Sequence, residues 1–159
     1  MSEATKDRKQ SERFADEDIL GILFEQHAEI HELVTQIQES SGDDRRLAFE
    51  RFKRLITAHE AAEQKVLRPV TRDIASDVAE ARLEEEQEAR EVLEELSELD
   101  IASVNFETEF RKFSQAVNEH AEAEEKGEFL KVETARDESQ RRILGSEFLA
   151  AFDAAEGNR

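Results

Sequence analysis

Residues 52–66 read FKRLITAHEAAEQKV and residues 106–124 read FETEFRKFSQAVNEHAEAE. In each, apolar residues recur at steps of three and four: Phe52, Ile56 and Val66 in the first, Phe106, Phe110, Phe113 and Val117 in the second. That spacing lines one face of an α-helix. The same face then carries His59 with Glu63, and His120 with Glu124. Residues at i and i+4 stack one turn apart, about 6 Å along the axis. Each pair can grip one metal ion or bridge two.

Two further stretches repeat the rhythm. Leu23, His27, Ile30, Val34 and Ile37 form an inward seam interrupted by His27, and Glu86, Ala89, Leu93 and Leu96 form one interrupted by Glu86. Breaks at Ser40–Asp44, around Pro69–Asp77 and at Asp100–Asn105 separate the four seams. The pattern predicts helices near 16–39, 44–67, 77–98 and 105–127, with a fifth near 134–154. Few breakers are present, one proline and five glycines among abundant Glu, Ala, Leu, Arg and Gln. The class is therefore all-α, an up-down-up-down four-helix bundle with a short extra C-terminal helix. The expected divisions are a disordered tail at 1–13, the bundle at 14–130, and at 131–159 a helix packing on it.

His27 lies about as far before the first turn as His59 lies after it, and Glu86 and His120 flank the last turn in the same way. The two spacings, 32 and 34 positions, suggest two copies of one hairpin with their polar residues at a common depth. Buried carboxylates without partners are costly, and a pair of cations at that depth supplies the compensation. The expected ligands are His27, His59, Glu63, Glu86, His120 and Glu124. Glu85 and Gln87 compete with Glu86, because residues 84–88 read EEEQE and the register can slip. Lys65 and Lys126 offer Glu63 and Glu124 an alternative as surface ion pairs. His31 falls just off the seam, beside the ligands or at the surface. Phe106, Phe110 and Phe113 read as core.

Composition narrows the chemistry. With no cysteine, iron–sulfur clusters, thiolate zinc and disulfides are excluded, so ligands must be nitrogen or oxygen. Forty acidic against twenty-two basic residues give a net charge of −18, which repels nucleic acid and anionic membranes. No long apolar run or secretory leader is visible, so the expected location is the cytoplasm. Without tyrosine or tryptophan there is no tyrosyl radical and no phenolate ligand. An oxygen-rich two-metal site with six ligands suits iron, with manganese as the alternative, better than tetrahedral zinc. Neither haem nor flavin is expected.

The chain resembles the hemerythrin-like (HHE cation-binding) family, whose hairpins carry a histidine on the first helix and His-x-x-x-Glu on the second. The matching residues are Phe24-Glu25-Gln26-His27, His59-Glu60-Ala61-Ala62-Glu63 with Pro69 after it, and His120-Ala121-Glu122-Ala123-Glu124-Glu125, within about residues 18–130. The resemblance implies a non-haem di-iron site that binds oxygen or a related oxidant. Glu86 stands where the family's third helix would carry histidine, and no proline follows the second His-x-x-x-Glu. A third carboxylate shifts the expectation from reversible oxygen carriage toward oxidase, catalase-like or ferroxidase chemistry on O2 or peroxide, with or without a small organic substrate. The other readings are a carrier or sensor of oxygen, nitric oxide or iron, and a metal-free helical interaction module. A monomer or weak homodimer is expected. Ile143, Leu144, Phe148, Leu149 and Phe152 form a stripe that would cover the bundle, form a lid or meet a second copy.

Overall fold

Most helix boundaries fall where the sequence supplies a cap or a break. Asp18 accepts a hydrogen bond from the Leu20 amide and Ser103 from the Phe106 amide, satisfying donors that have no partner within their helices. Asp137 and Gln140 form a reciprocal capping pair at the start of the last helix. Gly42, at φ +57, takes the left-handed conformation that reverses the chain between the first two long helices.

The computed structural model describes residues 1–157. Among these the elements are α1 Glu3–Ser11, α2 Ile19–Glu39, α3 Gly42–Ala62, α4 Arg68–Ile74, α5 Ser76–Glu98, α6 Val104–Ala123, α7 Phe129–Ala135 and α8 Glu138–Gly157. Two π-helical turns, Glu63–Leu67 and Glu124–Glu128, join α3 to α4 and α6 to α7, so each pair is one continuous helix. The chain is all-helical, as expected, and no strand occurs among the described residues.

The helices bury three layers. On α2, α3 and α6 the residues toward one end, including Ile30, Ile37, Phe49, Phe52, Phe106, Phe110 and Phe113, make an apolar core. Toward the other end Leu20, Leu23, Phe24, Leu67, Phe129, Val132 and Phe148 make a second. Between them on each helix lie the polar interruptions, His27, then His59 and Glu63, then His120 and Glu124. Phenylalanine edges and faces interlock in the first layer, with the Phe49 and Phe106 rings 5.3 Å apart and Phe52 and Phe110 5.7 Å apart.

Three expectations about the helices are corrected. Residues 3–11, expected within a disordered tail, are α1. Ser2 caps it, Asp7 is buried 3.3 Å from His31, Arg8 binds Glu25 and both carboxylate oxygens of Glu32, and Ser11 donates to the Gly21 carbonyl. Polar pairs fasten this helix, so no apolar stripe marks it in the sequence. The second long helix does not stop near 67 but runs through Pro69 to Ile74, and the fourth runs beyond 127 to Ala135. The π turns absorb the irregularity, and only Ala75, at φ −158 and ψ 81, breaks the chain before α5.

α8 lies against α2 and α3 and buries Phe148 completely. Gly145 permits the approach, since a Cβ there would sit 1.6 Å from the Glu17 carbonyl oxygen. The last two residues of the segment expected at 131–159 lie outside the described residues. Among the described residues no helix is long and apolar enough to cross a membrane.

Candidate metal centre

The middle layer brings the six expected residues together. One set of donor atoms comes from His27, His59, Glu63 and Glu124, and a second from Glu63, Glu86, His120 and Glu124, each within a span of 4.8 Å. Glu63 and Glu124 belong to both. His59 Nε2 lies 3.3 Å from Glu63 Oε1 and His27 Nε2 lies 3.2 Å from Glu124 Oε1. His120 Nε2 lies 3.1 Å from Glu86 Oε2 and 3.5 Å from Glu124 Oε2. Glu86 is fully buried, Glu85 half-buried and Gln87 exposed, so α5 points Glu86 into this layer. Lys126 pairs with Glu122 instead of Glu124.

All three imidazoles present Nε2 to the centre because their other nitrogens are engaged. His27 Nδ1 donates to Glu125 at 2.6 Å, His59 Nδ1 to Gln26 at 2.7 Å and His120 Nδ1 to Glu85 at 2.7 Å. The oxygens opposite can only accept, so each Nδ1 carries the proton. This is how histidine is held when Nε2 is to serve as a ligand. Gln26, Glu85 and Glu125 adjoin the expected ligands His27, Glu86 and Glu124 in sequence, yet each braces a histidine on another helix. His31 is not in the donor sets and pairs with Asp7 of α1.

The π turns bring in Arg68, which periodicity did not single out. Each begins at a shared glutamate, and its hydrogen bond runs five residues back, from the Arg68 amide to the Glu63 carbonyl and from the Phe129 amide to the Glu124 carbonyl. The inward face is thereby displaced by one residue. Arg68 is fully buried, with Nη2 2.6 Å from Glu86 Oε2, 2.8 Å from Glu124 Oε2 and 3.7 Å from Glu63 Oε1. Its Nη1 binds Glu128 at 2.9 and 3.1 Å, and the Thr71 hydroxyl also donates to Glu128.

Crowding reshapes the acid–base character of the layer. Burial, with the Glu124 charge adding to it, pushes the Glu63 carboxyl well above its ordinary range, although Arg68 opposes the shift. Burial acts the same way on Glu124, but the His120 charge, with the His120 and His27 rings set against its oxygens, outweighs it and holds this carboxyl well below its ordinary range. For His27 and His120 burial disfavours the charged ring, yet their carboxylate partners prevail and raise them to about 9 and about 12. His59 moves the other way, lowered to about 3 by burial and then by the His27 charge, and is a neutral ring. Burial raises Glu128 to about 7, and burial with the Glu86 charge raises Glu60 to about 8.

A cavity of about 510 Å³ borders the layer. Its walls include His27, His59 and His120 with Ile30, Ile56, Val92, Phe113 and Val117, and the buried Glu60 lines it as well.

The donor chemistry fits a cation. Both oxygens of Glu63 and Oε1 of Glu124 are buried without a hydrogen bond, and they lie beside the His27 and His59 nitrogens that could complete a coordination shell. The hemerythrin HHE cation-binding domain profile matches residues 18–132, and the chain belongs to that family. Comparisons with curated proteins and with solved structures found no significant match.

Proposed function

We propose that this chain is a non-haem di-iron protein that binds and reduces O2 or peroxide, with manganese as the alternative metal. The up-down-up-down frame of the long helices would hold one ion at His27, His59, Glu63 and Glu124, and the other at Glu63, Glu86, His120 and Glu124. The observation that carries this reading is the sharing of Glu63 and Glu124 between two donor sets, the arrangement two adjacent cations require. When bound, the pair supplies the electrons and the open coordination positions for the oxidant.

The chain's own groups do the rest. Gln26, Glu85 and Glu125 fix the imidazole orientations, and the two apolar layers pack on either side of the centre. The cavity gives access to the histidine side and has room for a small organic molecule besides the oxidant. Glu60 is placed on its wall to hold a proton for reduced oxygen.

Anaerobic reduction followed by addition of oxygen or peroxide tests the reading, with the optical spectrum and the fate of the oxidant recorded. Consumption of the oxidant with oxidation of the metals is expected. Release of oxygen unchanged would instead make the protein a carrier or sensor, and a protein without metal would refute both readings.

A further inference from the structure

Glu63 serves both donor sets, but Glu124 divides its two oxygens between them: Oε1 lies 3.2 Å from His27 Nε2 with no bond from Arg68, while Oε2 faces His120. The set containing His120 is already served by a fixed cation. Arg68 Nη2 binds Glu86 Oε2 and Glu124 Oε2, the same two oxygens that face His120 Nε2. Gln64 also donates to the remaining Glu86 oxygen.

We propose that Arg68 makes the two metal positions unequal: its guanidinium holds the carboxylates of the His120 position, so divalent cations fill the His27–His59 position first and the His120 position second and more weakly. The inference rests on the two-metal reading above. A cation entering the first position meets Glu124 Oε1, which Arg68 does not bind. One entering the second must compete with charge-assisted hydrogen bonds from a group whose charge does not dissociate. The guanidinium can yield without leaving, because Nη1 remains tied to Glu128, itself held by Thr71, while Nη2 moves off Glu86 and Glu124. Arg68 thus serves as a built-in countercharge for the second position, and at limiting metal the protein populates a one-ion form.

The test is stepwise metal binding by the metal-free full-length chain, with iron(II) followed by anaerobic calorimetry and manganese(II) by electron paramagnetic resonance. Two dissociation constants separated by about tenfold or more are expected, together with a mononuclear manganese signal at the first equivalent. Spin-coupled pairs should appear only with the second equivalent. Arg68→Gln should bring the constants together and produce pairs early. Should that variant not fold, the wild-type chain beside two others decides: Glu86→Ala should lose the weak constant and keep the tight one, and His59→Ala the reverse. Equal constants in the wild-type chain, pairs at the first equivalent, or an Arg68→Gln protein with unchanged separation would overturn the inference while leaving the two-metal reading standing. A wild-type chain that binds no cation would overturn both.

Discussion

The phenylalanine layer and the charged layer beside it are built from the same helices, a few residues apart, and are held together by opposite means. Around Phe49, Phe52, Phe106 and Phe110 every side chain gains by leaving water and no partner is specific. Around Glu63, Glu86, Glu124 and Glu128 each carboxylate loses hydration and depends on a particular cation: Arg68, an imidazolium or a bound metal. Stability resides in the first layer. The second is tolerated because its charges are matched, and it is kept in place by the apolar material on either side.

Removing the one permanent cation should break the charged layer most severely. Arg68→Met in the metal-free protein is expected to cost about 3–5 kcal/mol, because it strands buried carboxylates, and urea unfolding would measure it. Saturating iron(II) or manganese(II) should recover part of that loss. Phe52→Ala in the neighbouring layer should cost about 3 kcal/mol through lost transfer energy and a cavity. That loss should be the same with and without metal. If metal rescued Phe52→Ala as well as it rescued Arg68→Met, the two layers would not be energetically distinct.

A pH series sharpens the contrast. In the metal-free protein Glu128 at about 7 and Glu60 at about 8 keep their protons in the folded state where the unfolded chain, near 4.5, has lost them. His27 at about 9 and His120 at about 12 likewise stay protonated above the ordinary 6.5. In all four the folded state binds more protons, so stability falls as pH rises. His59, lowered to about 3, opposes this only below 6.5. Between about pH 6.5 and 8, metal-free stability should therefore fall, on the order of 5 kcal/mol, with the metal-bound protein much flatter. Thermal melts across that range would show it. Identical pH dependence in both forms would mean that metal does not contact these groups.

The smallest effect is expected at Glu86→His, which replaces one carboxylate of the middle layer with an imidazole. It should keep both metals and stability while slowing reoxidation of the reduced protein by about tenfold, since a negative charge beside the metals is lost. Gln87→Ala, on the exposed face of α5, should change neither metal content nor reoxidation, as stopped-flow mixing with oxygen would show.

Local periodicity explains why so much of the fold and the candidate site was legible in the sequence. Apolar steps of three and four identify α2, α3, α5 and α6 directly, and His27, His59, Glu63, Glu86, His120 and Glu124 occupy positions within those steps. Arg68 escaped because it lies five residues after Glu63, about 140° away around a regular helix. Only the π turn brings it inward, and neither its proline neighbour nor the corresponding Leu130 announces that turn. Gln26, Glu85 and Glu125 lie one residue off the seam and look like side chains turned to solvent until their partners on other helices are known. α1 was missed for a related reason, since its anchors Asp7 and Arg8 act through charge and leave no apolar rhythm.

The ratio of metal to protein most directly tests whether the middle layer holds a pair of ions. After growth with ample iron, elemental analysis of the purified chain should give about two metal ions per polypeptide, mostly iron. A value below about half an ion per polypeptide under the same conditions would contradict it and leave Arg68 and the histidinium rings as the layer's own countercharges.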